Sequence, residues 1–324
     1  MKPAPPNLQF HDLRPPPADF RVAVLEGLGR RPRSLSPKFF YDARGSVLFD
    51  AITRLPEYYP TRTEIALLRR HGPEMARLLG HDSLLVELGS GSDVKIRVLL
   101  DALRPRAYMP LDISREHLWR SAYAIAADHP ALAVHAVCTD YTRAFALPDA
   151  VNGLRPAAFF PGSSIGNFEP AQAARLLRSI GALLGPGGRL LVGVDLKKDP
   201  ARLYAAYNDQ EGITARFNLN LLERMRSELD AEIDTDGFRH HAFYNPDAGR
   251  IEMHLVATRP QTIAVDGHRF AFAAGEGIHT ENSYKFSVAE FGALSAAAGF
   301  QTLHVWQDEE ALFSVHGLAV ASPA

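Results

Sequence analysis

Residues 84–95, Leu84-Leu85-Val86-Glu87-Leu88-Gly89-Ser90-Gly91-Ser92-Asp93-Val94-Lys95, decide how this chain is read. An apolar run reaches Glu87 and breaks into Gly89-Ser90-Gly91. That is the pattern of a buried parallel strand feeding a tight turn. Glycines there let the backbone approach a nucleotide-like ligand with no Cβ in the way. A second apolar run ends at Asp112, inside Met109-Pro110-Leu111-Asp112-Ile113-Ser114. An acid about 20 residues past such a loop holds a ribose diol in doubly wound folds. Together the two runs imply an adenosine-containing cofactor. A dinucleotide fits poorly. Its pyrophosphate fingerprint needs a glycine or alanine three residues after Gly91, so that a helix N-terminus meets phosphate. That position is Val94.

Bulk properties narrow the partners. The 324 residues allow one large domain or two linked ones with a real core. A formal charge of -2 argues against a nucleic-acid partner, which needs a basic face. Cys138 is the only cysteine, so no internal disulfide can form and a reducing, cytoplasmic compartment fits. Nothing near the N-terminus resembles a signal peptide, and no apolar run is long enough to span a bilayer. A membrane partner is therefore not expected. Oligomeric state is not legible, and a monomer is compatible with the composition. The prolines at 3, 5, 6 and 15–17 predict an extended lead-in laid over the surface.

Along the chain, aromatics crowd residues 34–60: Phe39, Phe40, Tyr41, Phe49, Tyr58 and Tyr59. Thr61-Arg62-Thr63-Glu64 predicts a capping box before an amphipathic helix. Strands are then expected near 84–88, 107–113, 132–138, 157–161 and 189–195, with helices starting near Val94, Arg115 and Pro170. Such alternation predicts a parallel α/β sheet. Residues 200–230 read as helical, with Phe217, Leu221, Leu222, Met225 and Leu229 on one stripe. Residues 238–273 read as antiparallel strands with turns at Asn245-Pro246-Asp247 and Asp266-Gly267. A helix over 287–298 and strands over 301–306 and 311–320 close the chain.

Three further motifs join the glycine loop. Cys138-Thr139-Asp140-Tyr141 ends the third strand, Leu183–Leu190 is a helix end with a glycine-proline turn, and Phe160–Phe168 follows the fourth strand. In this order they resemble the class I S-adenosylmethionine-dependent methyltransferases, whose cofactor carries no phosphate. The resemblance implies a Rossmann-like sheet with a closing antiparallel hairpin, in which Asp140 accepts the adenine amino group and Tyr141 packs beside the ring. It makes 61–196 and 287–324 the methyltransferase domain. Residues 1–60 and 197–286 then form a second, α+β substrate-binding lobe over the cofactor crevice.

More specific stretches narrow the family. Lys38–Phe49, Leu55–Glu64, Phe160–Phe168, Ile251-Glu252-Met253-His254 and Ile278–Phe286 resemble the L-histidine Nα-methyltransferases of ergothioneine biosynthesis, from about residue 15 to the C-terminus. That family carries histidine to its Nα,Nα,Nα-trimethyl betaine, hercynine, in three S-adenosylmethionine-dependent steps. By motif, the resemblance assigns the α-amino group to Tyr41 and Asn167 as catalytic residues, and the carboxylate to Tyr207 with Asn167. Glu281 and Ser283 are assigned the imidazole. Phe49, Tyr58, Gly162, Thr214 and Met253 are expected to line the substrate pocket. Gly89, Ser90, Gly91, Lys95, Asp112, Asp140 and Tyr141 fall at cofactor positions. The glycine loop departs mildly, with Ser92-Asp93-Val94 before Lys95.

Blander assignments stand beside these. Tyr58-Tyr59 can be ordinary packing, Met253 fits a core on spacing alone, and Glu281 would otherwise be a solvated acid in a turn. Asn167 can fix its own loop as an Asx turn. The histidines His240, His241, His254, His268 and His279 show no helical ligand spacing, and adjacent His240 and His241 face opposite ways on a strand, so no metal is expected. Two rival functions remain: a related Nα-methyltransferase for tryptophan or tyrosine, and a non-catalytic cofactor-binding activator.

Overall fold

The computed structural model describes residues 4–13, 18–90, 93–143 and 145–321. Gly91 and Ser92 of the glycine loop, and Pro15, Pro16 and Pro17, lie outside the described residues. The chain opens with β1 (Leu8–Asp12), α1 (Ala18–Gly29), β2 (Arg33–Ser34), α2 (Ala43–Ile52) and α3 (Tyr59–Leu79). An alternating run follows: β3 (Leu84–Leu88), α4 (Asp93–Leu103), β4 (Ala107–Asp112), α5 (Arg115–Asp128) and β5 (Ala133–Cys138). It continues through β6 (Pro156–Phe160), α6 (Pro170–Leu184) and β7 (Arg189–Asp195). Then come α7 (Pro200–Tyr207), α8 (Ile213–Leu229), β8 (Phe238–Asn245), β9 (Arg250–Ala257) and β10 (Gln261–Val265). The last elements are β11 (His268–Phe272), β12 (Gly277–Tyr284), α9 (Val288–Ala297), β13 (Phe300–Gln307) and β14 (Phe313–Val320). The chain divides into two compact units: Met1–Arg14, Pro60–Lys198 and Tyr284–Ala324 in one, Pro15–Tyr59 and Asp199–Ser283 in the other.

The first unit is built on an eight-stranded sheet in the order β1-β5-β4-β3-β6-β7-β14-β13. β14 is antiparallel to both β7 and β13, and the other pairings are parallel. Strand residues alternate between faces, and helices cover both. Leu85, Tyr108, Val134 and Phe159 pack with residues of α3, α4 and α5. Leu84, Val86, Leu88, Met109 and Phe160 pack with α6 and α9. A strand buried on both faces must be apolar almost throughout, which is why β3 and β4 read as continuous runs. The chain order reverses at β3, with β4 on one side and β6 on the other. Ligands of open α/β sheets bind beyond the strand C-termini at such a point.

Two expectations fail in this unit. The N-terminal lead-in is not simply laid over the surface with the second lobe. Leu8–Asp12 is the edge strand β1, paired in parallel with β5 from Leu8↔Val134 to Asp12↔Cys138. The Asn7 side chain anchors it by donating to the carbonyls of Ala126, His129 and Leu132. The proposed capping box is also absent as such. α3 starts at Tyr59, so Thr61 and Glu64 lie inside the helix, and Glu64 is fully buried.

The second unit has a four-stranded sheet, β2-β12-β9-β8, and a separate β10-β11 hairpin. Its hairpin turn is Asp266-Gly267, both at positive φ, as a tight two-residue connection requires. α8 buries the expected stripe of Phe217, Leu221, Leu222, Met225 and Leu229. It also buries two asparagines. Asn218 donates to the His254 carbonyl and accepts from Thr280 Oγ1, while Asn220 donates to Asp42. β12 is a strand that alternation did not reveal. Two of its buried polar side chains are hydrogen-bonded, Thr280 to Asn218 and Ser283 to Tyr207. Among the described residues, no helix is long and apolar enough to cross a membrane.

Candidate functional site

In the first unit, the strand ends gather the acids read from sequence. Gly89 follows β3 at φ +77°, a region open to glycine at no steric cost. The N–H groups of Gly89 and Ser90 both donate to the Leu111 carbonyl, at 2.9 and 3.2 Å. The glycine turn is thereby stapled to the end of β4, beside Asp112. Asp112 Oδ1 accepts the Ser114 N–H at 2.7 Å. Burial pushes its carboxyl up, against the hydrogen bonds that favour the anion. Tyr141 packs edge-on to Phe160, 5.9 Å between centroids. Its hydroxyl would lie 3.7 Å from any Cβ added at Gly89. Burial and the charges of Asp112 and Asp140 raise its phenol, so the hydroxyl keeps its proton. Asp140 is buried, and its Oδ1 accepts from both the N–H and the hydroxyl of Thr142. One carboxylate oxygen therefore fixes its own turn. Gly91 falls outside the described residues.

Lys95 has a role that the sequence did not show. Its Nζ lies 2.7 Å from Glu64 Oε2, and both side chains are buried. The same carboxylate accepts the Gly162 N–H at 2.9 and 3.1 Å. Glu64 thus links α3, α4 and the loop after β6. Sequence reading missed it because its partners are 31 and 98 residues away, beyond any local pattern. The sole signal was an acid on an otherwise apolar helical face.

The loop after β6 is held from several sides. Gly162 and Ser163 both have positive φ, and Ser164–Asn167 form a 3₁₀ turn. Ser163 Oγ accepts the Asp195 N–H at 2.9 Å. Gly166 sits so close to Tyr284, a residue of the same unit, that a Cβ there would stand 2.7 Å from the Tyr284 carbonyl. These contacts fix a half-buried Asn167 at the C-terminal edge of the sheet.

The second unit brings together most of the remaining residues assigned by resemblance. Tyr41, Phe49 and Tyr58 form an aromatic cluster with Phe217 of α8. Tyr41–Phe49 is 5.6 Å edge-on, Tyr41–Phe217 5.7 Å and Phe49–Tyr58 6.4 Å. Tyr207 donates to Ser283 Oγ at 2.7 Å, and both residues are buried. Asp209 accepts the N–H groups of Ile213 and Thr214, each at 2.8 Å, which opens α8 and buries Thr214. Met253 and Glu281 are buried on β9 and β12, so Glu281 is not the exposed turn acid of the bland reading. Phe217 was read only as part of a core stripe, yet it is the hub of the aromatic cluster. His240 is held by Asn218 and the Tyr207 carbonyl, a structural role.

A sequence profile described as histidine-specific methyltransferase, SAM-dependent, matches residues 20–320. The chain belongs to this family. It is 43% identical over 308 residues to a histidine N-alpha-methyltransferase of Mycobacterium tuberculosis (strain CDC 1551 / Oshkosh), covering 93% of this chain and 94% of that one. It is 34% identical to ergothioneine biosynthesis protein 1 of Neurospora crassa, over 85% of this chain and 32% of the longer relative. A 4-dimethylallyltryptophan N-methyltransferase of Aspergillus fumigatus is 28% identical over 90% of this chain and 94% of that one. The chain is thus an S-adenosylmethionine-dependent methyltransferase of α/β, class I type. The strand ends fit that cofactor: a glycine turn without Cβ, an acid stapled beside it, and a neutral tyrosine hydroxyl next to the turn.

Proposed function

We propose that this methyltransferase moves three methyl groups in succession from S-adenosylmethionine to the α-amino group of L-histidine. The product would be hercynine, on the route to ergothioneine. The observation that carries this reading is the 43% identity to a histidine N-alpha-methyltransferase along nearly the whole of both chains. The buried Glu281 and Ser283 support it, because a carboxylate and a hydroxyl suit a polar heteroaromatic acceptor.

The first unit takes the cofactor with Gly89, Ser90, Asp112, Asp140 and Tyr141. Lys95 acts there through Glu64, holding the Gly162 loop. Tyr41 and Asn167 orient the α-amino group, Tyr207 and Asn167 take the carboxylate, and Glu281 and Ser283 bind the imidazole. Phe49, Tyr58, Gly162, Thr214 and Met253 shape the remaining space.

S-adenosylmethionine supplies an electrophilic methyl on a sulfonium. The transfer is an in-line displacement, in which alignment supplies most of the acceleration. The amine must be neutral to attack. An asparagine amide and a tyrosine hydroxyl orient its lone pair without holding a charge, and the proton leaves to water. The final product is a permanent cation. The faces of Tyr41, Phe49 and Tyr58 tolerate it, each contributing about 0.5–2 kcal/mol.

The deciding experiment is mass spectrometry of histidine incubated with the protein and S-adenosylmethionine. All three methyl groups are expected on the α-nitrogen. Methylation of an imidazole nitrogen would refute the assigned orientation, and methylation of tryptophan in preference to histidine would favour the rival acceptor. Glu281→Ala should lower kcat/KM for histidine by about 2–3 kcal/mol, because a charge-assisted bond to the ring is lost. Affinity for S-adenosylmethionine should be unchanged.

A further inference from the structure

Three side chains that the proposed reaction does not use meet on one face of the second unit's sheet. Glu252 and His254 are two residues apart on β9, so they project to the same side. His279 comes from the neighbouring strand β12. Donor atoms of all three lie within 4.8 Å of one another. We propose that Glu252, His254 and His279 form a binding site for a divalent, borderline-soft cation, with zinc the ion that their donor set fits.

Two imidazoles and one carboxylate are a recurrent zinc set, which leaves a fourth position for water. The groups around the trio are placed as supports of a metal site are. Glu252 Oε1 accepts from Asn245 at 3.0 Å and from Arg250 at 2.9 Å, which fixes the carboxylate. Oε2 is left facing His254 Nε2, 3.1 Å away. His279 Nε2 lies 3.0 Å from the Glu281 carbonyl. A carbonyl only accepts, so this nitrogen carries the proton and Nδ1 holds the lone pair. His254 needs its proton moved from Nε2 to Nδ1 through solvent, with no net proton change.

The geometry needs little adjustment. The His254 and His279 rings are stacked at 4.8 Å, with 22° between planes. They must turn to converge on one ion. Rotation about the ring torsion of histidine is broad and cheap. Phe243 stacks on the other side of His254 at 5.6 Å and limits its wandering. Both histidines are half-buried, so an ion can reach them from solvent. Arg250 competes for the same carboxylate at 2.8 Å. Affinity in the micromolar range is therefore expected, short of that of an all-thiolate site. Methyl transfer from a sulfonium needs no Lewis acid. The ion would act by tying β9 to β12.

The test uses the untagged full chain and zinc alone. Histidine is left out because it would itself chelate the ion. Isothermal titration should find one zinc equivalent in the wild type, weakened at least tenfold by His254→Asn, His279→Asn or Glu252→Gln. Zinc should raise the thermal midpoint of the wild type and not of these variants. A measurement on the wild type covers any variant that misfolds: zinc should protect His254 and His279 from diethyl pyrocarbonate, with the exposed His268 and His304 modified as before. Absence of zinc binding to the wild type, equal binding to a folded variant, or protection of other histidines instead would overturn the proposal.

Discussion

Glu87 lies in an apolar strand, and its neighbours in sequence give it no partner. Alternation along β3 turns it to the same face as Leu85, where the Tyr108 hydroxyl donates to it at 2.5 Å. Burial pushes its carboxyl up to about 8, and the Tyr108 hydrogen bond and the Lys95 charge only partly oppose this. At neutral pH the folded protein therefore holds Glu87 protonated, whereas the unfolded chain ionises it near pH 4.3. A group with a raised folded pKa contributes stability that is fully present below its unfolded value. That stability is lost as pH rises towards the folded value, here between about 4.3 and about 8. Glu87→Gln removes the titration. Its thermal midpoint relative to wild type should climb between about pH 5.5 and about pH 8.5, by an amount worth a few kcal/mol. A difference that stays constant with pH would show that Glu87 is ionised in the fold. Asp112 and Asp140 were legible because strand-end acids follow the sheet's own rhythm. Glu87's neutrality was not, because it depends on a tyrosine from the adjacent strand.

Elements divide the same way. β3 to β7 were readable to within about a residue, because burial on both faces forces long apolar runs. β1 and β12 were not. β1 is a mixed Leu-Gln-Phe-His-Asp edge among prolines. β12 buries polar residues on both faces, Thr280 on one and Ser283 on the other, bonded to Asn218 and Tyr207. A strand with polar residues buried on both faces leaves no alternation to find. Similarly, the Glu64–Lys95–Gly162 centre joins three elements and was visible in none. Gly193 of β7 is shaped to this centre: a Cβ there would stand 2.1 Å from Glu64 Oε1 and 3.0 Å from Phe313. Glu64 is buried and committed to two partners, so it cannot move aside freely. Gly193→Ala should cost about 1–3 kcal/mol, as overpacking of a filled core does, and should also weaken S-adenosylmethionine binding by displacing Lys95. Gly292→Ala is the control. It lies in α9 with nothing near its Cβ position, and should be neutral or stabilising by up to about 1 kcal/mol. Calorimetric melts and cofactor titrations of the two variants separate the cases. Equal melting of both would mean that the β7–Glu64 contact is slack.

At the scale of the whole molecule, the chain leaves the first unit after Lys198 and returns at Tyr284. Both segments converge on one carboxylate inside the first unit. Asp195, at the end of β7, pairs with Lys285 Nζ at 2.7 Å and Lys198 Nζ at 2.5 Å. Backbone bonds run alongside, from Lys197 N–H to the Phe286 carbonyl and from Phe286 N–H to the Asp195 carbonyl. Asp195 and Lys285 are each only 1% exposed at the side chain. Burial opposes the charge on Asp195, but the two ammonium groups outweigh it and hold the carboxyl below its usual range. Burial brings Lys198 down to about 8 in spite of Asp195. Three charges at this depth are costly to desolvate, and their value lies in pairing. Lys285→Met removes one of the two ammonium groups beside Asp195 while Lys198 still compensates the carboxylate, and should destabilise by about 1.5–3 kcal/mol, as the loss of a hydrogen bond to a charged group does. Asp195→Asn alone takes the carboxylate away from two buried ammonium groups, whereas on top of Lys285→Met it takes it from Lys198 only, so it should cost less in the double variant than alone. The pair is therefore expected to be strongly non-additive in a double-mutant cycle, read from denaturant melts at neutral pH. If the two losses simply add, the returning strand is held by its backbone bonds and packing alone, and the buried charges contribute nothing to joining the two segments.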